Sequence, residues 1–166
     1  VSALRDANGG IIPSYDFSKA KTIVSIGADF LGTWIAPTEF ASQWAKGRKV
    51  SKVNKNMSKH YQFETIMSVT GANADERIAI KPSQEGAVVA SLYNAIATKI
   101  GSSLISAPKF NNDNIAKAAA DLVASKGESL VVSGSNDVSV QQLINGINGL
   151  LGSFGSTINL GASVNY

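Results

Sequence analysis

Two short apolar runs, each broken by a glycine with Asp or Asn two residues later, constrain this chain more than anything else in it. They are Thr22-Ile23-Val24-Ser25-Ile26-Gly27-Ala28-Asp29 and Ser129-Leu130-Val131-Val132-Ser133-Gly134-Ser135-Asn136. Continuous β-branched and aliphatic runs of this length suit strands covered on both faces. The glycine permits a sharp turn, and Asp or Asn can cap the helix that follows. Such strand–turn–helix units build parallel α/β sheets, whose ligands bind beyond the carboxyl ends of the strands. The expected fold is therefore α/β, a three-layer, mostly parallel sheet flanked by helices.

The rest of the sequence supplies elements to match. A helical turn over residues 18–21 leads into a first strand, 22–26, and an apolar, aromatic loop follows through Trp34. Pro37 opens a helix carrying Phe40, Ala41, Trp44 and Ala45, which Gly47 stops. Residues 48–59 read as a loop, 60–66 as a second strand, 71–75 as a turn and 77–80 as a third strand ended by Pro82. Val88, Val89, Leu92, Ile96 and Ile100 fall at helical spacing within a helix over 83–99, with Glu85 in its first turn and Gly101 at its end. A helix over 114–125, capped by Asn112 or Asp113, precedes strand four at 129–132. Asp137 starts a last helix, and 157–160 forms a short final strand.

Composition removes several classes of function. Of the 166 residues none is cysteine, so the chain makes no disulfide and no thiolate-held iron–sulfur cluster. A single histidine, His60, leaves no His/Cys set for zinc. No apolar stretch reaches membrane-spanning length, so no direct membrane span is expected. The net charge is +3 and the basic residues are mostly scattered, the exception being one stretch, Lys46, Arg48, Lys49, Lys52, Lys55 and Lys59. That stretch reads as a solvated connecting loop, with an anion, membrane or acidic-partner patch as the functional alternative. Without interleaved aromatics it does not suit nucleic acid.

The candidate site residues sit in the two glycine turns. Asp29 is placed to accept hydrogen bonds from a ligand hydroxyl or guanine edge, or else to anchor its own loop. Ser135 and Asn136 are placed to meet a phosphate at a helix N-terminus, or else to cap that helix. Gly27 and Gly32 do not reproduce the three-glycine dinucleotide fingerprint. His60 is an isolated imidazole with a structural role expected over proton transfer. Asp75 and Glu76 are adjacent and Glu64 lies apart, so no pair of carboxylates has acid–base spacing.

Three segments go beyond generic α/β. They are residues 23–34; His60-Tyr61-Gln62-Phe63-Glu64 with Met67, Thr70-Gly71-Ala72-Asn73-Ala74-Asp75 and Arg77; and residues 129–134 continuing into 143–148 and Leu151-Gly152. Together they resemble the molybdopterin-oxidoreductase-like portion of the large iron–sulfur subunit of bacterial alternative complex III, a quinol:electron-acceptor oxidoreductase. The resemblance implies a Rossmann-like domain, residues 1–166, cut from a longer subunit on the periplasmic side of the inner membrane. It implies cytochrome c-type and membrane subunits as partners, no nucleic acid, and iron–sulfur clusters elsewhere in the parent subunit. It also implies a cofactor-free scaffold and docking domain with no catalytic residues, Trp34 and the basic stretch being the expected contact surface. The alternative is a domain that binds molybdopterin guanine dinucleotide through Gly27, Asp29, Ser135 and Asn136. Gly27-Ala28-Asp29-Phe30 departs from the Gly-x-Asn-Pro-like turn of cofactor-binding members.

Overall fold

The computed structural model describes residues 1–53 and 55–163; Asn54, inside the expected basic loop, and residues 164–166 lie outside the described residues. Four strands, β2 (Thr22–Ile26), β3 (Lys59–Glu64), β4 (Glu76–Ala79) and β5 (Ser129–Ser133), form a parallel sheet in the order β4-β3-β2-β5. All five residues of β2 and of β5 are buried, as their uninterrupted apolar runs require. Thr22 pairs with Lys59 on one side and Ser129 on the other, so β3, β2 and β5 start level. Between β4 and β5 the chain crosses over β2, and the crevice between the carboxyl ends of β2 and β5 is the topological switch point.

Helices α4 (Glu85–Ile100), α5 (Asp113–Ala124) and α6 (Val138–Leu150) cover one face. There Val24, Ile26, Tyr61, Phe63 and Val131 pack against Leu92, Ile96, Leu122, Ile144 and Ile147. Helix α2 (Pro37–Arg48), α1 (Ser2–Ala7) and a two-stranded antiparallel ribbon, β1 (Pro13–Tyr15) with β6 (Ile158–Ser163), cover the other. That second core is aromatic: Phe17 stacks on Phe30 at 4.3 Å between ring centroids, and Phe40 lies 4.9 Å from Phe17. The three-layer α/β arrangement is the one the sequence implied.

Local chemistry sets the helix ends. Gly101 ends α4 at φ +74°, a left-handed position that glycine fills without a Cβ penalty. Asn112 caps α5, its Oδ1 accepting from the Asn114 amide at 2.9 Å. Asp137 caps α6 in the same way through Ser139.

Several boundaries differ from the expected ones. Strand β3 ends at Glu64, two residues short, leaving Ile66 and Met67 81% and 63% exposed. A short helix α3 (Val69–Ala72) overlaps the expected turn, and α2 runs through Gly47 to Arg48. Trp34 is not on a contact surface: it is buried, its ring 5.3 Å from Tyr15 and 5.8 Å from Phe40.

Strand β5 is an edge strand, yet its outer side is closed by side chains. Ser153 and Thr157 hydroxyls donate to the Ser129 carbonyl, each at 2.8 Å. The Asn148 amide takes the place of a neighbouring strand, accepting from the Val131 N–H at 3.0 Å and donating to its carbonyl at 2.7 Å. Gln141 Nε2 donates to the Ser133 carbonyl at 3.0 Å. Buried backbone polar groups need partners, and these supply them without a further strand.

Candidate functional site

At the switch point the two signature glycines are in contact, for different reasons. Gly27 has φ +65°, so it turns the chain where an L side chain would be strained. At Gly134 the requirement is closeness, because a Cβ there would overlap the Gly27 carbonyl group. The Gly134 amide donates to Ile26 at 2.9 Å and the Gly27 amide to Phe63 at 2.8 Å. Hydrogen bonding between β2 and both neighbours thus continues past the strand ends, and the two turns abut at the switch point.

Asp29 is consumed by its own loop. Its Oδ1 accepts from the Thr70 amide at 3.1 Å and the Thr70 hydroxyl at 2.8 Å, and its carbonyl accepts from the amides of Gly32, Thr33 and Trp34. Thr70 Oγ1 accepts in turn from the Leu31 amide at 2.9 Å, locking the loop to α3. Ser135 is engaged by its carbonyl, which accepts from Gln141 Nε2 at 2.7 Å, and by its hydroxyl, which accepts from the Asp137 amide at 3.3 Å. Asn136 accepts from the Ala3 amide at 3.2 Å and ties α1 to this end of the sheet. Gly27 and Gly134 therefore meet, whereas Asp29 turns to α3 and Asn136 to α1.

One residue at this pole was not read from the sequence as part of the site. Glu85, in the first turn of α4, places its carboxylate so that a Cβ on Gly27 would lie 3.2 Å from Oε1. It is half-buried, and burial pushes its carboxyl above the ordinary value. Asp137 adds a second carboxylate at the N-terminus of α6. Hydrogen bonds from the Ser139 hydroxyl and amide hold it below the usual carboxylate range. The two helix N-termini that face the switch point thus carry their own negative charge. A pyrophosphate there would meet two carboxylates in place of bare amides.

The most polar part of the interior is β3. His60, Gln62 and Glu64 share one face, all at most 3% exposed. His60 Nε2 lies 3.3 Å from Gln62 Oε1, and Gln62 Nε2 donates to Glu64 Oε2 at 3.3 Å. Glu64 also accepts from the Ser68 hydroxyl and from Arg77 Nε, both at 2.6 Å. Burial alone would raise the Glu64 carboxyl, but the Ser68 and Arg77 bonds together hold it low. His60 sits against Phe30 at 5.2 Å and Trp44 at 6.3 Å, and burial lowers its pKa from 6.5 to about 4. It is a neutral end member of this polar chain, and its Nδ1 is buried without a hydrogen-bond partner among the described residues. Asp75 is held by a bidentate pair with Arg48 at 2.5 and 2.8 Å and by the His60 amide. Among the described residues no group of three or more His, Cys, Asp or Glu is placed to hold a metal ion.

Open space lies at the opposite pole. A depression of about 400 Å³ is lined by Lys19, Lys21, Ser58 and Glu128, beside the amino ends of the strands. A neighbouring one of about 430 Å³ runs past Asp16, Lys19 and Ser156. Lys21 and Lys59 also stand at this amino pole, so its lysines face away from the end where ligands of this fold bind.

No protein-family model matches the sequence, and no curated protein matches it. Among solved structures the chain is similar to acetylene hydratase from Pelobacter acetylenicus, with a TM-score of 0.62 at 14% identity. The alignment covers 96% of this chain and 25% of the hydratase, so the chain spans about a quarter of that enzyme's length. At this identity the likeness establishes the fold.

Proposed function

We propose that this chain is a non-catalytic scaffold and docking domain within a larger respiratory oxidoreductase subunit, molybdopterin-oxidoreductase-like in fold and without a pterin cofactor. In this reading the parent is the large iron–sulfur subunit of an alternative complex III. The domain packs among cytochrome c-type and membrane subunits on the periplasmic side, and electrons pass through clusters elsewhere in the parent. Likeness in fold to one segment of a longer enzyme supports a domain that works inside a larger assembly.

The observation that carries the reading is the tightly packed, acidic switch point. A guanine dinucleotide needs an open crevice and amides or cations for its phosphates. Here Gly134 abuts the Gly27 carbonyl, and Glu85 and Asp137 occupy the helix N-termini. The residues present do not fit the cofactor. Titration calorimetry of the purified chain with molybdopterin guanine dinucleotide, alongside metal and pterin analysis of the native full-length subunit, tests this. The expected result is no saturable heat and no molybdenum; tight one-to-one binding overturns the proposal.

A further inference from the structure

Between Phe40 and Phe63 the sequence has six basic residues and no Asp or Glu. Two of the six are used internally: Arg48 pairs with Asp75, and Lys59 lies 3.0 Å from Asp121. Lys46, Lys49, Lys52 and Lys55 are exposed, with no ion pair among the described residues. The last three recur every third position in the loop that joins α2 to β3. Apolar residues are interleaved with them and turned to solvent: Val50 is 59% exposed, Val53 97% and Met57 49%. Single exposed aliphatics are ordinary, but three in one short, acid-free, lysine-spaced loop are not scatter.

The base of this loop is built firmly. The Ser58 amide donates to the Gly47 carbonyl at 3.0 Å, and Arg48 Nη1 donates to the Ser58 carbonyl at 2.7 Å. Arg48 is itself fixed by its pairing with Asp75 and lies 4.9 Å over the Trp44 ring. From this base Lys49, Val50, Lys52, Val53, Lys55 and Met57 are exposed to solvent.

We propose that Lys49, Lys52 and Lys55, with Val50, Val53 and Met57, form a docking element for an anionic lipid surface, the lysines meeting headgroups and the apolar side chains entering the headgroup–acyl boundary. The choice of lipid over an acidic protein follows from residue type. Protein interfaces favour Arg, Tyr, Trp and Phe and are depleted in Lys. This loop has lysine, no arginine and no aromatic. An anionic bilayer asks only for point charge and an aliphatic edge, which is what the loop supplies. The inference rests on the loop alone, so its failure leaves the cofactor test of the scaffold reading untouched.

Vesicle co-sedimentation of the intact chain provides the test, with phosphatidylcholine alone against phosphatidylcholine carrying about one third phosphatidylglycerol. Binding is expected to the anionic vesicles only and to fall steeply as salt shortens the Debye length below about 5 Å. Lys49→Glu with Lys52→Glu and Lys55→Glu should weaken it by about 100-fold or more, at roughly fivefold for each lysine lost. Val50→Ser with Val53→Ser should weaken it about tenfold while sparing the salt dependence. Each exposed-loop variant is expected to keep the parent's melting temperature, which separates lost docking from lost folding. Equal binding to neutral and anionic vesicles, or an unchanged affinity in the triple variant, overturns the proposal. So does binding to an acidic peptide with no binding to vesicles, which would assign the loop to a protein partner.

Discussion

At the carboxyl ends of β2 and β5 the two glycine turns pack backbone against backbone. At the amino ends the same strands are flanked by exposed ion pairs, Lys21 with Glu128 at 2.5 Å and Lys19 with Asp16 at 3.4 Å, over open depressions. The contrast inverts the usual arrangement of this architecture, in which the carboxyl pole opens to ligand. A carboxyl pole fixed by contacts a few ångströms long should be intolerant of change. An amino pole held by solvated charges should be forgiving.

That difference can be broken at its strongest point first. Gly134→Val drives a branched side chain into the Gly27 carbonyl and is expected to cost about 4 kcal/mol, read as a shift in the denaturation midpoint. Should the variant be as stable as the parent, the close packing described for the switch point is wrong. Asn148→Ala leaves the Val131 amide and carbonyl buried without partners, for an expected loss of about 3 kcal/mol.

The buried imidazole gives a pH signature. His60 has a folded pKa of about 4 against 6.5 unfolded, so the unfolded chain takes up the proton first as pH falls. Its contribution is fully present above pH 6.5 and is lost as pH drops toward 4, at about 2 kcal/mol between pH 7 and 4.5. Glu85 works in the opposite sense, since a raised carboxyl pKa favours the folded state on acidification. The pH dependence of stability measured by urea titration should therefore become shallower in His60→Asn and steeper in Glu85→Gln.

At pH 7 Glu85→Gln should itself be neutral to slightly stabilising, by less than about 1 kcal/mol, because a desolvated charge without a hydrogen-bond partner among the described residues is removed. The smallest effect belongs to the amino pole. Lys21→Ala removes an exposed pair and should change stability by under about 0.5 kcal/mol; a larger loss would make the two poles alike.

How far the sequence reached follows the range of the interactions. Strands β2 and β5 were visible because burial on both faces writes a continuous apolar run, α4 and α6 because packing writes a helical period, and α5 because a cap precedes an Ala-rich, helix-forming run. Strand β1 begins at a proline, has three residues and pairs with a segment more than a hundred positions away, so nothing local marks it. Strand β3 misleads in a different way. His60, Gln62 and Glu64 alternate with apolar residues as on a half-solvated strand, yet they are buried, linked to one another and, through Glu64, to Ser68 and Arg77. At the candidate site, Gly27 and Gly134 were legible as turns. The role of Glu85 was not, since a first-turn glutamate looks the same whether it faces water or a glycine two elements away.

The closed flank of β5 also governs how copies of this fold can join. A sheet with one rim sealed by side chains and an outer strand β4 that pairs with no further strand among the described residues offers a single seam for strand addition. Two molecules meeting seam to seam leave no free rim on the joined sheet, so growth by that route halts at a pair instead of running on into a fibre.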